Sequence, residues 1–162
     1  MEFDIDVSGE DLLSKNYTIC IANKDSLIRG FKFNEELISI LCARYGQGLY
    51  KYKKTKGKEP IFKVRLYSII LYYLFKSLKL KDTLSLNICR DFYGNEEKIK
   101  DNLRYFLGSL LELNINEKVS FIKLDKNSNA HHYAGLMRKD NKNLMREYYV
   151  KITIEDIESF LK

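Results

Sequence analysis

The sequence predicts an α/β protein with a mixed sheet, in which antiparallel strands come first and helices and strands then alternate. Two observations carry that prediction. Residues 3–33 hold one strictly alternating segment and two short apolar runs joined by turn residues, whereas from residue 63 onward segments of helical period take turns with compact apolar ones. A third bears on domain number: neither an internal repeat nor a linker divides the 162 residues, so the expectation is a single domain over 1–162.

Each element has its own signal. Phe3, Ile5 and Val7 alternate with Glu2, Asp4 and Asp6, which sets an apolar face against an acidic one before the Ser8-Gly9 turn. Tyr17 to Asn23 and Leu27 to Phe33 read as an antiparallel hairpin around Asn23-Lys24-Asp25-Ser26. Asn34 is suited to cap a helix with Glu35 and Glu36 in its first turn, ending at Gly46. A basic loop is expected over 46–62, closed by Pro60, the chain's one proline. Lys63 to Leu78 carries Val64, Tyr67, Ile70, Leu71, Leu74, Phe75 and Leu78 at helical spacing. Leu84 to Cys89 then reads as a strand ending at Arg90-Asp91, and Gly94-Asn95-Glu96-Glu97 opens a helix bearing Ile99, Leu103, Phe106, Leu107 and Leu110. Val119 to Leu124 is a further strand ending at Asp125. Ala130, Tyr133, Ala134 and Met137 define a short helix in which Gly135 allows close packing. A strand over Tyr148 to Ile152 and a helix capped by Thr153 complete the order.

Lysine and arginine total 28 against 22 acids, for a formal charge of +6. Such a balance permits contact with phosphate backbones without requiring it. Lys51, Lys53, Lys54, Lys56 and Lys58, with Tyr50 and Tyr52 interleaved, form a candidate nucleic-acid-binding arm in which lysines meet phosphates and tyrosines stack on bases. Cys20, Cys42 and Cys89 are odd in number and set in apolar runs, the pattern of reduced core cysteines and of a cytoplasmic protein. No basic leader with an apolar core opens the chain, and its longest apolar run is too short to span a bilayer, so a membrane partner is not expected.

The order of elements is the ribonuclease-H-like order, and the chain resembles one branch of that superfamily. It is a family of unknown function whose members begin with an Ile-Asp-Glu-Ser-Gly strand, close a central strand with a second Asp, and carry an Ala-Asp-x-x-Ala-Gly-like motif on a late helix. Ile5-Asp6-Val7-Ser8-Gly9 resembles the first motif with Val7 in place of Glu, and Arg90-Asp91 falls where the second Asp stands. Ala130-His131-His132-Tyr133-Ala134-Gly135 matches the third motif in register, with His131 in place of its Asp.

The resemblance implies a ribonuclease-H-like mixed sheet and a metal-dependent nuclease, or a catalytically degenerate relative. In it Asp6, Asp91 and His131 are the catalytic and metal-binding set, with Glu36 or Asp125 as a fourth ligand and magnesium or manganese as the metal. Phosphodiester hydrolysis needs an activated water and an offset for charge on the leaving oxygen, which paired cations supply. Carboxylates at the ends of adjacent strands can converge, since neighbouring strands lie about 4.8 Å apart.

The residues also admit plainer roles. Asp6 suits a strand-end turn, Asp91 and Glu36 suit helix N-termini, and Asp125 suits a solvated loop. His131 and His132 lie about 100° apart on a helix and cannot serve one site. Two other functions therefore stand beside the nuclease: a non-catalytic nucleic-acid-binding protein of the same fold, and a structural or protein-interaction module using its twelve tyrosines and its long apolar helix.

Overall fold

The computed structural model describes residues 1–53, 57, 59–81, 83–115 and 118–162. The alternating first segment forms β1 (Glu2–Ser8), the middle strand of an open five-stranded mixed sheet. On one side of it lie β2 (Thr18–Ala22) and then β3 (Ile28–Lys32), both antiparallel to their neighbours. On the other side lie β4 (Ser85–Ile88), parallel to β1, and β5 (Val119–Phe121), parallel to β4. The sheet order is β3-β2-β1-β4-β5, an α/β architecture as the sequence predicts.

Helices cover both faces. α1 (Glu35–Gly46) starts where Asn34 accepts the Leu37 N–H at 2.8 Å, with Glu35 and Glu36 at the positive end of the helix. α2 (Glu59–Leu78) lies against the face that carries Phe3, Ile5, Leu86 and Ile88; Phe3 meets Phe75 edge-on at 5.3 Å. α3 (Glu96–Leu103) runs on into wider π-helical turns over Arg104–Leu110, and α5 (Ile154–Glu158) closes this layer behind a Thr153–Asp156 capping box. The opposite face is covered by α4 (Asn129–Arg138), through Ala130, Ala134 and Met137 packed on Cys20, Ala22 and Ile28, with Leu124, Met145, Tyr148 and Tyr149 packed against the same cluster. With layers on both sides, every residue of β2 is buried.

Four expectations change. The long helix begins at Glu59 rather than Lys63, because Pro60 sits in its first turn, where a missing N–H removes no hydrogen bond. Residues 148–152 form no strand: they make a single parallel bridge to Gly30, whose N–H donates to the Tyr148 carbonyl at 2.8 Å and whose carbonyl accepts from Val150 at 3.0 Å. Cys20 is a core residue, but Cys42 is exposed on α1 and Cys89 is half-buried among acids. Nor is Gly135 the close-packing glycine of α4, since a side chain there would meet nothing within 4 Å.

That role belongs to Gly30, on β3 beneath α4. A Cβ at Gly30 would fall inside contact distance of the Met137 sulfur and 2.9 Å from its methyl carbon. Gly30→Ala is expected to cost about 1–3 kcal/mol by overpacking, and Met137→Ala about 2–5 kcal/mol by cavity formation. Because each change relieves the other, urea denaturation of the double variant should give a loss smaller than the sum.

Candidate metal centre at the ends of the central strands

β1 and β4 run parallel, so both end at the same edge of the sheet, and the acids of the two strand ends meet there. Asp6 is on the α4 side of β1 and is 7% exposed. One of its carboxylate oxygens accepts the Val7 N–H at 2.8 Å, and the other lies 2.8 Å from Nδ1 of His131. The Cys89 N–H donates to the Ile5 carbonyl at 3.0 Å, extending the β1–β4 pairing one residue past Ile88 and setting Cys89 beside Asp6. Asp91 follows two residues on. The ligand atoms of Asp6, Cys89 and Asp91 all lie within 4.8 Å of one another.

That spacing suits one shared ion, because two ligands at bonds of about 2.0–2.6 Å are at most about 5 Å apart. Cys89 is the residue that sequence reasoning missed. Its place beside Asp6 depends on the β1–β4 register, and the available signal was its position two residues before Asp91.

Electrostatics in the cluster follow from packing acids together. The Asp91 carboxyl is raised above the ordinary carboxylate range by the packing around it and then by the charge of Asp6, although the residue as a whole reaches solvent. Burial pushes the Cys89 thiol up, and the charges of Asp6 and Asp91 add to that, so without a cation it stays protonated within hydrogen-bonding reach of both carboxylates. The phenol of Tyr17 beneath them is likewise raised by burial and then by Asp91.

His131 is fixed by α4. Ser128 caps that helix and donates its hydroxyl to Asp4 at 2.7 Å, while the Asn129 amide donates to the Asn23 carbonyl at 2.9 Å. The first turn is thus fastened to β1 and to the end of β2, and His131 reaches Asp6 with 58% of its side chain exposed. It touches the cluster through Asp6 and is not one of the three mutually close ligands. His132 points elsewhere, edge-on to Tyr133 at 5.3 Å.

Two expected ligands stand apart. Asp125 accepts the Asn127 N–H at 2.8 Å in the turn before α4 and lines a different pocket, with Glu2 and Asp4. Glu36 is exposed in the first turn of α1, outside the cluster. Both are held by local backbone geometry that already accounts for an acid at each position.

The expected binding arm also differs. Tyr50 is 5% exposed and stacks on Phe62 at 5.9 Å, so its ring is beyond the reach of a base. Tyr52 is half-buried against the same ring at 6.3 Å. Lys51 donates its N–H to the Leu161 carbonyl at 2.9 Å, and the Lys53 carbonyl accepts from Tyr45 at 3.3 Å, although both lysine side chains are exposed. Lys54, Lys56 and Lys58 lie outside the described residues.

Beside Asp91 opens a cleft of about 440 Å³, walled by Gly9, Asp11, Glu59, Lys63, Asp91 and Phe92. Lys63 is held by Asp11 at 2.8 Å and Glu59 at 3.2 Å, so acids outnumber bases on its walls. A bare phosphodiester would be repelled there, and a cation would be drawn in.

The raised Asp91 carboxyl has a measurable consequence. The fold favours its neutral form, so its charge costs stability above the folded pKa and costs nothing below the ordinary Asp value. In chelator, Asp91→Asn is expected to be more stable than the parent at pH 7, by less than about 1 kcal/mol given solvent screening. Urea midpoints should converge near pH 3, below the ordinary carboxylate range; a gain independent of pH would contradict the electrostatic origin. No family model matches the chain, and no curated protein or solved structure matches it either.

Proposed function

We propose that the protein is a divalent-metal-dependent nuclease of ribonuclease-H-like architecture, with its metal at Asp6 and Asp91. The carrying observation is the convergence of those two carboxylates with Cys89 inside 4.8 Å at the ends of adjacent parallel strands. Strand order and sense agree with this reading: an antiparallel β1-β2-β3 meander is followed by β4 and β5 parallel to β1. In open α/β sheets, ligand sites gather outside the carboxyl ends of the strands where the order reverses, and the cluster stands at that place.

The chain's residues take separate parts. Asp6 and Asp91 supply hard oxygen donors, and the softer donors beside them, the Cys89 sulfur and nearby His131, disfavour magnesium against the first-row transition metals, of which manganese is the most tolerant of oxygen ligands. His131, held through Nδ1 by Asp6 with more than half of its side chain exposed, stands in the manner of an imidazole that orients a ligand and can exchange a proton with a bound reactant. A divalent cation bound by Asp6 and Asp91 would offset phosphate charge and acidify a water. The acid-lined cleft would then admit a phosphodiester that it would otherwise repel.

The test is cleavage of single- and double-stranded DNA and RNA in manganese, magnesium or EDTA. Asp6→Asn and Asp91→Asn are each expected to lose more activity than the roughly 10–100-fold typical of outer ligand-sphere partners, and His131→Ala to fall within that range. Manganese should raise the melting temperature of the parent and not of the Asp6→Asn, Asp91→Asn double variant. Cleavage that survives the double change would refute the assignment. Nucleic-acid binding without any cleavage would leave the non-catalytic reading of the same fold.

A further inference from the structure

The loop that carries Asp91 also presents an aromatic ring to solvent. Tyr93 is 85% exposed, the most exposed large apolar or aromatic side chain among the described residues. It is held out by a closed turn: the Asn95 N–H donates to the Phe92 carbonyl at 3.0 Å, with Gly94 at φ +83° in the third position. A turn of that shape favours glycine there, and it places Tyr93 at the outer corner. The residue before it anchors the loop, since Phe92 packs on the buried ring of Tyr67 at 4.7 Å. Tyr93 is therefore a ring on a fixed mount two residues from the candidate metal ligand Asp91, and little order has to be imposed on it when a partner stacks.

Two cations of this loop and the helix after it are held at the end of β5. Arg90 Nε donates to the Phe121 carbonyl at the end of β5 at 3.0 Å, and Lys100 on α3 reaches the ring of the same residue at 5.9 Å. Half-buried Lys100 also faces the exposed Glu97 at 3.6 Å, a pair of small worth. One loop thus bears a guanidinium, a metal-ligating carboxylate and a projecting aromatic ring within four residues.

Resting on the nuclease reading, we propose that the substrate is single-stranded nucleic acid, with one unpaired base stacked on Tyr93 and the flanking phosphates on Arg90 and Lys100. Stacking on a lone ring needs a base with a free face, which the interior of a duplex does not offer, and it tolerates any sequence because every base has one. The cleft next to Asp91 has the volume of a small-ligand pocket, room for about one nucleotide. The grip is then supplied by the loop after β4 rather than by the lysines around Tyr50.

The chain has no tryptophan, so Tyr93→Trp installs a unique fluorophore at an exposed position that the fold does not use. The full chain is titrated in manganese with end-labelled, phosphorothioate-linked oligonucleotides that resist cleavage: a DNA single strand, its RNA counterpart and the duplex of the same sequence closed by loops at both ends. Trp fluorescence reports on Tyr93→Trp, and anisotropy of the label on the parent and the other variants. Expected are saturable quenching by the single strands and binding of the duplex at least about tenfold weaker. Tyr93→Ala and Arg90→Ala should each weaken single-strand binding about tenfold, and Tyr93→Phe should keep it. Unchanged single-strand affinity in Tyr93→Ala, or equal affinity for duplex, overturns this inference alone when metal-dependent cleavage is present. If neither strand form binds and neither is cut, the nuclease reading falls with it.

Discussion

α4 lies where it does because β1 turns acids, not apolar side chains, toward it. Asp4 is satisfied by Ser128 and by the Asn87 amide at 3.0 Å, and Asp6 by His131 and the Val7 N–H. A buried carboxylate without such partners would cost several kcal/mol. Docking of the helix and satisfaction of the strand are one event, so α4 cannot leave without exposing the problem it solves. Its own apolar contribution is modest, two alanines and a methionine over Cys20, Ala22 and Ile28, with the half-buried Tyr133 beside them. Small residues let the helix come close, and closeness is what brings His131 within reach of Asp6.

The two faces of the sheet consequently do different work. On the α2 face, aromatic and aliphatic side chains pack around a helix of 20 residues and supply most of the burial. On the α4 face the row Gly30, Cys20, Asp6 runs across β3, β2 and β1, and Cys89 continues it past the end of β4. The row passes from a residue with no side chain, through a buried thiol, to the acid and thiol of the candidate centre. Its small members make room for α4, and its polar members face the open end of the sheet. Most of the burial and the candidate centre are thereby placed on opposite sides of the same strands.

What was legible in the sequence is what periodicity encodes. The alternation of Phe3 to Val7 correctly separates the two faces of β1, and the helical spacing after Lys63 identifies the helix that fills the larger core. The caps at Asn34 and Thr153 are equally local and appear as expected. What escaped depends on contacts between distant segments. Cys89 joins the acids only through the β1–β4 register, and Tyr50 looks like part of a cationic arm until Phe62 takes its face. The expected strand over 148–152 has the right composition, yet the chain crosses the sheet edge there and pairs with Gly30 alone.

That crossing has a consequence for how copies of the chain can meet. An unpaired sheet edge is a template on which another chain can add a strand. Here the outer side of β3 is strapped at Gly30, with Arg29 and Lys32 on either side of it in sequence, and the opposite edge, β5, is three residues long. Among the described residues, neither margin offers a long, flat, apolar row of backbone groups. Self-association that grows by adding strands is discouraged by the architecture itself, and contact between molecules is left to the helices and to the loops at the strand ends.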